Sequence, residues 1–113
     1  MKMISLLLVL VSCTYCQKVD FREEATDCLQ AKITAFEQGD YACDKGATVY
    51  RYKFQGQFVY VFNPGPCGAD MISPVYDANC VEICGLGGFA GNMMCNGTNF
   101  STATDETLIW EDK

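Results

Sequence analysis

Eight cysteines punctuate this chain of 113 residues, and six of them, Cys28, Cys43, Cys67, Cys80, Cys84 and Cys95, lie beyond its first sixteen positions. An even set of thiols in a short chain behind a leader reads as a disulfide framework, which fixes a fold that a small core would hold only weakly. The chain contains no histidine. That absence removes the commonest general base and the commonest metal ligand. Sulfur content and missing imidazole together point to a stapled scaffold that works by its surface.

The leader has the form of a secretory signal. Lys2 supplies a positive charge, Ile4 to Val11 is apolar apart from Ser5, and Ser12-Cys13-Thr14-Tyr15-Cys16 supplies small residues. The apolar run is too short to cross a hydrocarbon layer of ~30 Å as a helix. Residues 1–16 are therefore read as a signal peptide and residues 17–113 as one secreted domain. Leu10-Val11-Ser12-Cys13 has the shape of a lipidation box. Lipidation at Cys13 would leave Cys16 with the other six, an odd set and a leftover thiol, so cleavage after Cys16 is preferred.

Without Lys2, the eight basic residues become seven, against fourteen acidic ones, a net charge of −7. Nucleic acid and anionic membranes both call for a basic stripe, so neither is expected as a partner, nor is membrane insertion. Two sequons, Asn96-Gly97-Thr98 and Asn99-Phe100-Ser101, mark an exposed loop with glycosylation expected at Asn96 and Asn99.

Hydrophobic periodicity predicts an α+β fold. Ala25, Cys28, Leu29, Ile33 and Phe36 fall three or four apart, which predicts a helix from about Glu23 to Gln38 with Gly39 as its stop. Val49–Phe54 and Gln57–Phe62 are rich in aromatic and β-branched residues, and Gln55-Gly56 between them predicts a hairpin. That turn sets Phe54, Tyr52 and Tyr50 opposite Gln57, Val59 and Val61 on one face, which should pack on the helix. The other face pairs Lys53 with Phe58, Arg51 with Tyr60 and Val49 with Phe62. Asn63-Pro64-Gly65-Pro66 ends the hairpin, and Cys67 to Gly97 reads as loop-rich, with one helical turn starting at Asp77. Thr107–Trp110 predicts a third strand beside the hairpin, with Leu108 and Trp110 on one face. The expected architecture is an N-terminal helix packed on a small antiparallel sheet, hairpin plus C-terminal strand, with three disulfides.

Reactive chemistry finds little footing. The run Gly85-Leu86-Gly87-Gly88-Phe89-Ala90-Gly91 does not join a strand to a helix in a parallel unit, so a tight bend is expected rather than a phosphate cradle. Cys80-x-x-x-Cys84 has no histidine to complete a zinc site. Asp70 and Asp77 lack the dense oxygen spacing of a calcium loop. No serine or cysteine can find an imidazole base, and Asp105-Glu106 and Glu111-Asp112 read as solvated pairs. No catalytic residue, metal or cofactor is expected.

The run Val49-Tyr50-Arg51-Tyr52-x-Phe54-x-Gly56, then Val59-Tyr60-Val61-Phe62, resembles the hairpin of a family of small secreted domains of unknown function. Cys67, Val75-Tyr76-Asp77, Ile83-Cys84, Gly87-Gly88-Phe89-x-Gly91, Cys95 and Leu108-Ile109-Trp110 extend that resemblance over nearly the whole secreted part. The family occurs in bacterial lipoproteins and in some invertebrates. Cys43 and Cys80 stand outside the bacterial pattern, and the resemblance implies that they pair with each other. In size and cysteine content the chain is also similar to the molluscan cysteine-rich neurotrophic factors, secreted ligands of neurotrophin-type receptors. Neither resemblance carries a functional residue over.

The functional expectation is a secreted, non-enzymatic signalling ligand of a cell-surface receptor. Its candidate contacts are Arg51, Lys53, Phe58, Tyr60 and Phe62, a set of cations and rings suited to cation–π contact and to recognition. The alternatives are a protease inhibitor or defence protein presenting the loop from Pro64 to Asp70, or a matrix component. An exposed hairpin edge would also allow a homodimer.

Overall fold

The computed structural model describes residues 19–112, so the expected signal peptide and Gln17 lie outside the described residues. Strands β1 (Val19–Asp20), β2 (Thr48–Phe54), β3 (Gln57–Asn63), β4 (Ile72–Asp77), β5 (Glu82–Gly87) and β8 (Thr104–Glu111) form a six-stranded sheet in the order β1-β8-β2-β3-β4-β5. Every neighbouring pair is antiparallel. A second, two-stranded sheet is formed by β6 (Met94–Cys95) and β7 (Thr98–Asn99). Helix α1 spans Asp27–Gln38 and packs on the large sheet. Three disulfides close the framework: Cys28–Cys80, Cys43–Cys67 and Cys84–Cys95.

The hairpin has the predicted register, from Thr48 opposite Asn63 to Phe54 opposite Gln57. Gln55 and Gly56 both take positive φ, 51° and 79°, the twist that lets a two-residue turn join antiparallel strands.

The helix differs at its start and in the face it covers. A 3-10 turn at Arg22–Glu24 comes first, then Ala25 and Thr26 are extended, so α1 begins at Asp27 rather than Glu23. The Thr26 hydroxyl donates to the Ala78 carbonyl at 2.8 Å instead of capping the helix. Leu29 and Ile33 are buried against Val49, Tyr60, Phe62 and Trp110. That is the face carrying Val49, Arg51 and Lys53, not the Tyr50–Tyr52–Phe54 face expected to meet the helix. The expected face is covered by the segment after β5: Cys95 and Phe100 join Phe54, Val59, Val61 and Val75 in a second core. In β3 the residues Val59, Tyr60, Val61 and Phe62 are all buried, two on each face. A strand apolar on both sides gives no alternation to say which side the helix takes.

Residues 67–97 hold more structure than a loop. Strands β4 and β5 form a second hairpin, joined through a turn in which Cys80 N–H donates to the Asp77 carbonyl at 3.0 Å. No helical turn forms there; Asp77 Oδ1 accepts from the N–H groups of Asn79 (2.9 Å) and Val81 (3.0 Å). Pro74 is accommodated because β3 pairs with β4 only as far as Val61–Val75, so no ladder bond is lost at the next position. Both hairpin strands β2 and β3 are therefore interior, flanked by β8 and β4, and neither offers an edge for dimerisation.

The observed pairing replaces the Cys43–Cys80 bridge implied by resemblance. Cys80 reaches Cys28 on α1, and Cys43 reaches Cys67 across the base of the first hairpin. Cys28 is exposed rather than buried on the helix stripe, so this bridge clamps the helix from outside.

Candidate functional site

Antiparallel pairing puts Lys53 directly opposite Phe58 and Arg51 two pairs further along, on the same face. Two cations consequently lie against the Phe58 ring. Arg51 Cζ lies 4.7 Å and Lys53 Nζ 4.8 Å from the ring centroid. On the same face Lys32 of α1 places Nζ 4.4 Å from the Tyr76 ring. The cations among the described residues are Arg22, Lys32, Lys45, Arg51 and Lys53, so three of five are gathered on this face of an acidic chain.

The five expected contact residues divide into two groups. Phe58 is 43% exposed, and Arg51 and Lys53 accompany it at the surface end of the hairpin. Tyr60 and Phe62, only 3% and 2% exposed, lie beneath α1 and cannot meet a partner. Phe62 packs edge-on against Phe36 (5.2 Å, 77°) and Tyr76 (5.2 Å, 82°), which is core geometry. The sequence pattern put all five on one face correctly; it could not show that the helix covers only part of that face.

Electrostatics leaves the patch available. The ion pairs of Arg22, with Asp20 and Glu37 at 2.8 Å each, lie elsewhere, and Arg51 and Lys53 make none among the described residues. Arg51 Nε is buried without a hydrogen-bond partner, so the ring rather than a carboxylate holds the guanidinium. On the β8 side, Arg51 and Lys53 pair with the neutral Thr107 and Thr104. On the opposite face Glu106 is engaged by the Tyr52 hydroxyl, which donates to Oε2 at 2.8 Å. Burial, the bond to Glu106 and that carboxylate's charge push the Tyr52 phenol above its ordinary range.

The remaining singled-out residues take structural places. Asp77 is occupied by its turn, and no group of three or more metal-ligating side chains is gathered among the described residues. The glycine run bends back on itself, with Gly87 and Asn92 exchanging backbone bonds of 2.8 and 2.9 Å. Asn96 and Asn99 are both exposed. Asn96 Nδ2 donates to Gln55 Oε1 at 2.8 Å, and Asn99 Oδ1 accepts from Ser101 N–H at 2.8 Å. At the opposite end of the hairpin an open cleft of about 600 Å³ lies between Asp40–Lys45 and Pro66–Cys67. Pro66 to Asp70 beside it is exposed at every residue.

A family model described as a domain of unknown function, DUF6970, matches residues 35–112. The match begins inside α1, so it takes in Cys80 but not its partner Cys28. Neither the curated proteins nor the solved structures contain a match.

Proposed function

We propose a function from the surface of this chain, which belongs to the DUF6970 family, a domain of unknown function: it is a secreted, non-enzymatic signalling ligand of a cell-surface receptor. The observation that carries this reading is Phe58, exposed at the turn end of the central hairpin with Arg51 and Lys53 both against its ring. An aromatic ring with two cations against it, neither paired with a carboxylate among the described residues, is a preformed contact for an acidic or aromatic receptor segment. Three disulfides, and the absence among the described residues of any helix long and apolar enough to cross a membrane, are compatible with an extracellular setting.

The test is binding of labelled, oxidised protein to surface-labelled cells of the source tissue. Arg51→Ala combined with Phe58→Ala should lower binding at least tenfold while the thermal midpoint moves little. Undiminished binding would remove the sheet face from consideration.

A second reading rests on the exposed run Pro66–Asp70, stapled through Cys67 and anchored where Cys43 N–H donates to the Pro64 carbonyl at 2.8 Å. A stapled, protruding loop suits a protease inhibitor. Slowed turnover by serine proteases that is lost on changing Pro66 or Gly68 would favour it.

A further inference from the structure

Phe89 stands 92% exposed at the tip of the bend after β5, although burying such a ring contributes on the order of 1.5–3 kcal/mol. The bend that displays it is built firmly. Gly88 N–H donates to the Met71 carbonyl (3.1 Å) and Gly91 N–H to the Gly88 carbonyl (3.1 Å), besides the Gly87–Asn92 pair. Gly88 (φ 78°) and Gly91 (φ 64°) hold backbone angles that other residues rarely adopt. A Cβ on Gly88 would lie 3.0 Å from Ile72 Cγ1, so Ile72, itself exposed, lies against the bend. The exposed Tyr41 in turn bonds Ile72 through its hydroxyl, donating to the carbonyl and accepting from the N–H at 3.1 Å.

Tyr41, Ile72 and Phe89 are thus exposed and gathered at one end of the sheet, Tyr41 through its bonds to the Ile72 backbone and Phe89 through its neighbour Gly88. From Ile83 to Thr104 the chain has no charged residue, whereas Asp40 and Asp70, exposed neighbours in sequence of Tyr41 and Met71, border the surface with acid. An apolar, aromatic centre inside a charged rim is the anatomy of a protein-binding surface. The rim selects the partner. Carboxylates on a chain of negative net charge disfavour a second copy and an anionic bilayer, and complement lysine and arginine.

We propose that Tyr41, Ile72 and Phe89 form a second docking surface, whose occupant is an extracellular protein presenting an apolar pocket rimmed by basic residues. The inference shares the extracellular placement argued above but does not use Arg51, Lys53 or Phe58.

The test places a photoreactive benzophenone side chain at position 89 of the full, oxidised protein, with Ala31 on the exposed side of α1 as the control position. The probe is the intact cell surface of the source tissue. The expected result is an adduct with a protein whose crosslinked peptide is flanked by an excess of Lys and Arg. Its yield should fall several-fold in Asp40→Asn/Asp70→Asn and in 0.5 M salt. Unlabelled wild-type protein should compete, and Phe89→Ser should compete at least tenfold less well with an unchanged thermal midpoint. Adducts with lipid, with a second copy, or no more abundant than from position 31 would overturn the proposal. Retention of the adduct in the Arg51→Ala/Phe58→Ala background would support this surface even where the sheet-face reading fails.

Discussion

Trp110 and Leu108, two residues apart in β8, lie on opposite faces of the sheet. Val49 pairs with Trp110 and its neighbour Tyr50 pairs with Leu108, leaving Ile109 as an extra residue in the ladder. A β-bulge of this kind breaks the alternation of a strand and lets two consecutive side chains turn to one side. Ile109 and Trp110 both enter the core beneath α1, and Leu108 stays half-buried on the other face.

The bulge makes the two residues unequal in stability. Trp110→Ala should cost about 3–5 kcal/mol, the range for a large buried ring. Leu108→Ala should cost about 1 kcal/mol, since less of it leaves water. Urea midpoints of the two variants check this, and equal losses would argue for unbroken alternation.

Phe58 and Phe62 separate surface from core within one strand. Phe62→Ala should cost about 3–5 kcal/mol by opening a cavity under α1. Phe58→Ala should cost about 1 kcal/mol or less, mainly through the two cation–π contacts. Chemical denaturation distinguishes them. A large stability loss at Phe58 would mean that the ring serves packing, and its value as a contact would fall accordingly.

How much of this was legible in the sequence depended on whether a residue's neighbours were close in the chain. The hairpin register followed from Gln55-Gly56 and two aromatic runs, and so did the Arg51–Phe58–Lys53 cluster, because two-residue turns fix pairing. Strands β4 and β5 were hidden by Pro74 and by the glycines of 85–88, which read as breakers. Proline here sits beyond the end of the β3–β4 ladder, a tertiary circumstance that local pattern cannot express. The burial of Tyr60 and Phe62 was equally invisible, since it depends on which face α1 covers. The partner of Cys28 lies 52 residues away, and spacing does not choose among pairings.

Arg22 joins three elements with one side chain. Nε donates to Asp20 Oδ1 (2.8 Å), Nη1 to Thr34 Oγ1 (2.7 Å), and Nη2 to both Asp20 Oδ2 (2.9 Å) and Glu37 Oε1 (2.8 Å). A lysine ammonium cannot reproduce this planar fork. Arg22→Lys should therefore destabilise by about 1–2 kcal/mol, in the range for charge-assisted bonds at a partly buried site. A midpoint within error of wild type would show that the network contributes nothing net.

The disulfides should rank by the length of chain they close. Cys28–Cys80 spans 52 residues and Cys84–Cys95 spans 11. Loop-closure entropy gives about 4 kcal/mol for the first and about 3 kcal/mol for the second. Replacing each pair by alanines and comparing urea midpoints tests the order. A reversed order would mean that the packing of the fully buried Cys95 outweighs chain entropy.

Alkaline stability should report the half-buried phenols of Tyr52 and Tyr76. Tyr52 is raised above its ordinary value first by burial, then by its bond to Glu106 and that carboxylate's charge; Tyr76 is raised by burial and by Glu82. The folded state thus holds these protons more tightly than the unfolded chain, whose tyrosines titrate near pH ~10. Below that pH both states are protonated and the contribution is fully present. As pH rises from ~10 towards the folded values, the unfolded chain loses protons that the fold retains, so stability falls. Tyr52→Phe/Tyr76→Phe should be somewhat less stable at pH 8, lacking the Tyr52–Glu106 bond, yet should lose less between pH 9.5 and 11. Urea midpoints across that interval, taken quickly enough to keep the disulfides intact, decide the matter. A variant that falls as steeply as the wild-type protein would show that alkaline loss comes from other groups.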